Sequence, residues 1–146
     1  MLGNKITPNT ETYNTLIDMY CKEGKVGEAL DIFEYMAQIG LVPNIITYNT
    51  LLDGYCLRSE MDEAEKLMDL IVENGCKPNV ATYNNLINGY CKSKKIDRAL
   101  GLLQVMHSNG LAPNAITYNT LIDALCKVNQ LKLAHKFFKE MEAHGL

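Results

Sequence analysis

Apolar residues return at spacings of three and four through the first stretch of the chain. Tyr13, Leu16, Ile17 and Tyr20 fall on one stripe of a helix over residues 10–23. Glu23-Gly24-Lys25 interrupts the pattern. A second stripe, Val26, Ala29, Leu30, Phe33 and Met36, predicts another helix ending near Gln38, where Gly40 supplies a left-handed stop and Pro43 prevents continuation. Two helices joined by so short a break form an antiparallel pair. No segment alternates apolar and polar residues strictly or clusters β-branched residues, so the expected fold class is all-α.

The whole pattern then repeats. Thr-Tyr-Asn occurs at residues 12–14, 47–49, 82–84 and 117–119, always 35 residues apart. Leu16, Leu51, Leu86 and Leu121 keep the same register, as do Cys21, Cys56, Cys91 and Cys126 and the alanines Ala29, Ala64, Ala99 and Ala134. A unit too short to bury its own apolar face must stack on its neighbours, which predicts a solenoid. The expected boundaries are 10–44, 45–79, 80–114 and 115–146, with residues 1–9 as the tail of an upstream repeat. Ile6-Thr7-Pro8-Asn9 matches Leu41-Val42-Pro43-Asn44, and Gly145-Leu146 matches Gly110-Leu111, so the fourth unit is expected to be truncated and the chain to be part of a longer array.

Composition suits a helical array. The chain is 47% hydrophobic with no apolar run approaching the length of a membrane span, so no membrane partner is expected. No targeting segment is legible, and one belonging to a longer array would lie upstream. A net charge of −3 argues against nucleic acid until the charges are divided by helix. The first-helix segments, residues 10–25, 45–60, 80–95 and 115–130, hold seven basic and six acidic residues; the remainder holds seven basic and eleven acidic. The acidity therefore belongs mainly to the second helices.

Two sets of asparagines stand out. Asn44, Asn79 and Asn114 follow a proline and precede a first helix, a suitable N-cap position. Asn14, Asn49, Asn84 and Asn119 lie inside first helices, where Asn costs roughly 0.5 kcal/mol or more relative to Ala. They neighbour the core-facing tyrosine without sharing its stripe. An asparagine ladder between repeats is one explanation, and a binding role is the other.

The unit Thr-Tyr-Asn-x-Leu-Ile-x-x-Tyr-Cys-Lys, then x-x-Glu-Ala-x-x-x-Phe-x-x-Met, then Gly-Leu-x-Pro-Asn, resembles the pentatricopeptide repeat of organellar RNA-binding proteins, over essentially the whole chain. The likeness is to the pure 35-residue class and to plant restorer-of-fertility relatives. It implies a right-handed superhelical solenoid of antiparallel helix pairs that reads single-stranded RNA at one base per repeat. It also implies a mitochondrial or plastid location and a part in RNA processing, stability or translation. Tetratricopeptide repeats, the nearest competitor, have a 34-residue period and usually an early Trp; this chain has no Trp.

Carried over from the family, base reading falls to the Asn after Tyr together with the last residue of the same repeat. This pairs Asn14 with Asn44, Asn49 with Asn79, and Asn84 with Asn114, and leaves Asn119 without a partner. Family usage assigns such pairs to cytosine, then uracil. An amide free to rotate suits either base, so weak discrimination is expected. Replacing Asn49 by Thr is expected to turn that repeat towards adenine without loss of stability. The residue two before each Tyr presses on the base: Ile46, Ala81 and Ile116 take this place, while Glu11 departs from the pattern and is expected to weaken the first unit. Phosphate contact falls to Lys22, Lys92 and Lys127. The second repeat has Leu57 there, with Arg58 as the expected substitute. A helix-dipole role for these lysines is the alternative.

Four of the five cysteines occupy equivalent sites on helices roughly 8–10 Å apart, beyond disulfide reach, and are expected to be small buried hydrophobes. Cys76 lies outside the frame and is the thiol expected to be accessible. No Cys-x-x-Cys is present, and His107, His135 and His144 fall at unrelated positions, so no metal or other cofactor is expected. Asn88 interrupts the row Asp18, Asp53 and Asp123, and no nucleophile or phosphate-loop motif is present, so the chain is not expected to be an enzyme. A protein–protein scaffold is the alternative function, although a peptide groove has no reason to repeat one amide pair in every unit. The apolar residues of the last helix, Leu133, Phe137, Phe138 and Met141, predict self-association through uncapped ends.

Overall fold

The computed structural model describes residues 9–146; residues 1–8, including the Ile6-Thr7-Pro8 match, lie outside the described residues. Among the described residues eight helices of 13 residues follow one another and no strand occurs: α1 (Thr10–Lys22), α2 (Val26–Gln38), α3 (Ile45–Leu57), α4 (Met61–Glu73), α5 (Val80–Lys92), α6 (Ile96–Ser108), α7 (Ala115–Lys127) and α8 (Leu131–Ala143). None is long and apolar enough to cross a membrane.

The packing order explains the shape. Each first helix packs on its own second helix and on the next first helix, so that α1, α3, α5 and α7 form a continuous row. The second helices α2, α4 and α6 touch the following first helix, but the backbones of consecutive second helices stay apart, and Arg98 of α6 reaches Glu65 of α4 only through its long side chain. The closer row lies on the inside of the bend. First helices therefore line the inner wall of a solenoid, and second helices form the outer wall.

Local chemistry ends each helix where the sequence indicates. Gly40, Gly75, Gly110 and Gly145 adopt φ of 83°, 78°, 74° and 71°, the left-handed stop after the second helix. The turn inside each pair also requires a left-handed residue. Gly24 fills it in the first repeat, whereas Ser59, Lys94 and Asn129 hold φ of 58°, 61° and 61°. The buried tyrosines then tie the two helices of a pair together. Tyr48 and Tyr83 sink their rings into the core while each hydroxyl accepts from an asparagine at the end of its second helix, Asn74 at 2.6 Å and Asn109 at 3.0 Å. Phe33 of the preceding repeat meets the Tyr48 ring edge-on at 5.5 Å.

The inner row depends on missing side chains. A Cβ on Gly54 would lie 2.7 Å from Cys21 Sγ and 3.0 Å from Cys21 Cβ; one on Gly89 would lie 2.6 Å from Met61 Sδ and 2.9 Å from Cys56 Cβ. In α7 the position is Ala124, and the packing there is looser. Cys91, facing it from α5, is only half-buried, and a cleft of about 560 Å³ lined by Cys91, Ile96, Ala124 and Val128 opens between the third and fourth repeats. The seam between the second and third repeats has an additional polar tie. Tyr90 of α5 donates to Glu65 of α4, and Arg98 of α6 pairs with the same carboxylate while lying 5.7 Å from the Tyr90 ring. Burial, then the Glu65 hydrogen bond, pushes the Tyr90 hydroxyl up to about 12.

The cysteines depart from the sequence expectation. Cys21 and Cys56 are buried by the following repeat, but Cys91 is half-buried and Cys126, in α7, is exposed. Cys76 is half-buried against the core instead of being the open thiol, because its loop folds back onto the repeat. Phe137 is buried against the Tyr118 ring, and Phe138 is the residue of that pair that faces solvent.

Two predictions follow from this packing. Gly54→Ala should lower stability despite its gain in helix propensity of about 1 kcal/mol, because overpacking a close helix contact costs about 1–3 kcal/mol. Adding Cys21→Ala should recover part of the loss. Urea denaturation followed by circular dichroism checks both, and an unchanged midpoint for Gly54→Ala contradicts the close approach. In the second, Cys126 reacts first with a thiol-disulfide reagent at pH 8, while Cys21 and Cys56 resist until the chain unfolds. Burial, followed by nearby aspartates, pushes these two thiols up to about 11 and about 12, so few thiolates are available. Faster labelling of Cys76 than of Cys126 contradicts this order.

Candidate nucleic-acid interface

The first helices all start in the same way. Asn44 caps α3: its Oδ1 accepts the Thr47 N–H at 3.1 Å, and Thr47 Oγ1 accepts the Asn44 N–H at 3.1 Å. Asn79 with Thr82 and Asn114 with Thr117 repeat this reciprocal box, and Asn9 with Thr12 forms it at α1. The carbonyl end of each cap asparagine is thereby fixed on its helix.

The second set of asparagines joins the caps from the preceding repeat. Asn14 Nδ2 donates to Asn44 Oδ1 at 3.4 Å, Asn49 Nδ2 to Asn79 Oδ1 at 3.1 Å, and Asn84 Nδ2 to Asn114 Oδ1 at 3.1 Å. Their carbonyl ends are engaged too. Thr47, Thr82 and Thr117 donate through Oγ1 to Asn14, Asn49 and Asn84 at 2.5, 2.6 and 2.5 Å. Each seam is thus closed by a triangle of one threonine and two amides. Asn119 is exposed, with no such triangle among the described residues.

This geometry corrects the reading of these asparagines as lying clear of the packing. Asn14 is buried, Asn49 and Asn84 are half-buried, and all three sit in the seam. The ladder between repeats exists, and the residues proposed to read bases are the residues that form it. Replacing Asn49 therefore forfeits two hydrogen bonds of about 0.5–1.5 kcal/mol each, where no loss of stability was expected. Nor does either amide rotate freely. The cap requires a carbonyl at the helix end, so the neighbouring atom of the second amide must be the donor, and its own carbonyl is left for the threonine.

Around the triangles the other candidate residues lie on open surface. Ile46 and Ile116 are 61% and 62% exposed, an unusual cost for large apolar side chains at helix starts, and Ala81 and Glu11 are exposed in the same register. The lysines differ among themselves. Lys22 pairs with Asp18 at 2.8 Å and Lys127 with Asp123 at 2.9 Å, each one turn back on its own helix. Lys92 faces Asn88 at the equivalent place and forms no ion pair among the described residues. Arg58 does not replace the missing lysine of the second repeat. It turns back instead, donating from Nη1 to the Gly24 carbonyl at 2.9 Å and pairing through Nε with Glu60 at 2.9 Å.

Leu57 leaves Asp53 without a lysine of its own. Asp53 is half-buried, and burial followed by the Asp18 charge raises its carboxyl above the ordinary range, with Lys22 and Lys92 pulling the other way. Among the described residues no group of three or more His, Cys, Asp or Glu side chains is placed to hold a metal ion. All five cysteines are free.

A model of the PPR repeat family matches residues 8–57, 43–91, 78–127 and 113–146. Among solved structures, the pentatricopeptide repeat protein PPR10 in complex with an 18-nt psaJ RNA element matches with a TM-score of 0.86 at 29% identity, over 95% of this chain and 20% of that one. A structure of PPR10 from maize gives 0.74 at 28% identity over 96% and 20%. The PPR domain of Arabidopsis thaliana protein-only RNase P 1 in complex with tRNA gives 0.73 over 99% and 77%; at 16% identity that likeness concerns the fold alone. This chain spans about a fifth of the length of PPR10. With the repeat model matching from residue 8 to residue 146, the chain belongs to the PPR repeat family.

Proposed function

We propose that this chain binds single-stranded RNA along its inner wall, one base per repeat, with a preference for pyrimidines and for cytosine over uracil. The observation that carries the reading is the pair of asparagines at three successive seams, held each time in the same geometry and flanked by an exposed Ile46, Ala81 or Ile116. Bases can press against these side chains, while unspent Nδ2 protons meet base edges. The likeness to PPR10, solved with an RNA element, supports RNA as the partner. The role is binding and not catalysis, exerted on mitochondrial or plastid transcripts in their processing, stability or translation. The repeats are taken as 10–44, 45–79, 80–114 and 115–146.

Binding should be weak and salt-dependent. Three complete pairs engage about three bases, and at roughly 1–3 kcal/mol per stacked base this barely offsets the cost of association. Lys92 is the lysine most available to phosphate. Lys22 and Lys127 must first give up an aspartate. By fluorescence anisotropy at low salt, affinity should follow oligo(C), then oligo(U), then oligo(A), and all three should weaken as salt rises. Equal affinity for oligo(A) and oligo(C) sinks the pyrimidine reading.

Asp53→Asn should raise RNA affinity several-fold at low salt, since it removes an inner-wall carboxylate that no lysine of its own repeat neutralises. The same change should not weaken the fold: an elevated carboxyl destabilises the folded state above its pKa, so stability at neutral pH stays level or increases. An unaltered affinity for oligo(C) places RNA away from this part of the inner wall.

A further inference from the structure

We infer that the capping threonines Thr47, Thr82 and Thr117 are positioning residues for base selection, because they lock each asparagine pair into an edge that only donates. The inference rests on the RNA reading above and sharpens its choice between cytosine and uracil. At the middle seam, Asn79 Oδ1 already accepts from Thr82 N–H and from Asn49 Nδ2, both at 3.1 Å, which occupies its two lone pairs. Asn49 Oδ1 accepts the Thr82 hydroxyl at 2.6 Å, and Thr82 is fully buried, so that carbonyl is turned inward. What remains for a ligand is one Nδ2 proton of Asn49 and both Nδ2 protons of Asn79. The first and third seams reproduce this arrangement through Thr47 and Thr117.

An edge made only of donors selects by what it lacks. Cytosine places two acceptors, O2 and N3, side by side and satisfies it. Uracil places N3–H between its carbonyls and confronts the pair with a donor. The 4-amino group of cytosine, itself a donor, finds no acceptor on the pair and contributes nothing. Without the threonine hydroxyl, the Asn49 amide is held only by its Nδ2 bond to Asn79 Oδ1; uracil N3–H then competes for Asn49 Oδ1 at the cost of that one bond in place of two, so discrimination falls while pyrimidine binding persists.

The unmodified chain gives the first test, in which folding is not at issue. Its affinities are compared for oligo(C), oligo(U) and an equally long oligomer of pyrimidin-2-one ribonucleotides, which keep O2 and N3 but lack the amine. The pyrimidin-2-one oligomer should bind within about threefold of oligo(C) and well ahead of oligo(U). If it falls to the level of oligo(U), the amine is being read and the donor-only edge is wrong. The second test compares Thr82→Val, which keeps the shape and drops the hydroxyl, with Thr82→Ser, which restores it. The ratio of oligo(C) to oligo(U) affinity should shrink in Thr82→Val and return in Thr82→Ser, with both variants confirmed as folded by circular dichroism. An unchanged ratio in folded Thr82→Val overturns the positioning role. Failure of the reading on which this rests looks different: none of the oligonucleotides binds, or oligo(A) binds as well as either pyrimidine.

Discussion

Each helix cap in this array is also a bond between repeats. Asn79 accepts the Thr82 N–H in the first turn of α5 and, with the same oxygen, receives the amide of Asn49 from α3. The Thr82 hydroxyl closes the triangle from a fully buried position. A helix start left uncapped and a seam left unpaired would each cost on the order of 1 kcal/mol, and one set of three side chains answers both demands. Because the set is rebuilt every 35 residues, consecutive first helices meet in constant register, and whatever the amides leave unspent is presented at a constant interval.

Apolar packing supplies the remainder of that register. Gly54 and Gly89 let α3 and α5 settle onto Cys21 and Cys56, and the alanine at position 124 shows what one added methyl group does: Cys91 is left half-buried beside an open cleft. The glycines and the cap triangles act on the same helix pairs at different heights. The former set how close the helices come, and the latter set which residues face each other. Variation in one joint therefore need not disturb the amide geometry in the next, which suits a quasi-one-dimensional array.

Much of this was legible in the sequence because it is local. The stripes of α1 and α2, the glycine stops and the caps at Asn44, Asn79 and Asn114 all follow from residues within one or two turns of each other. What was not legible depends on how one repeat docks on another. The partner of Asn49 Oδ1 lies 33 residues away, and no periodicity in the sequence distinguishes a threonine that only caps from one that also orients a neighbour. Position in the repeat leaves Arg58 free to stand in for a lysine, whereas the turn at Gly24, 34 residues away, takes its guanidinium. Cys76 is half-buried against the core and Cys126 is exposed, because thiol exposure depends on which surface folds over each site and not on its place in the frame. The repetition of Gly at 54 and 89 with Ala at 124 was a signal available in the sequence, and it marks the loosest joint.

The inner wall is nearly neutral, and its lysines are largely held by aspartates one turn away, so electrostatic attraction alone gives little selectivity. The account places selectivity in the orientation of amides instead, and the most direct test is to see those orientations. Neutron diffraction from crystals of the chain with a cytidine oligonucleotide distinguishes amide nitrogen from oxygen through deuterium positions. The account predicts Asn49 Oδ1 on the Thr82 deuteroxyl, with the outward deuterons of Asn49 and Asn79 directed at cytosine N3 and O2. An Asn49 carbonyl turned out towards the base, with the Thr82 deuteroxyl directed elsewhere, would contradict it.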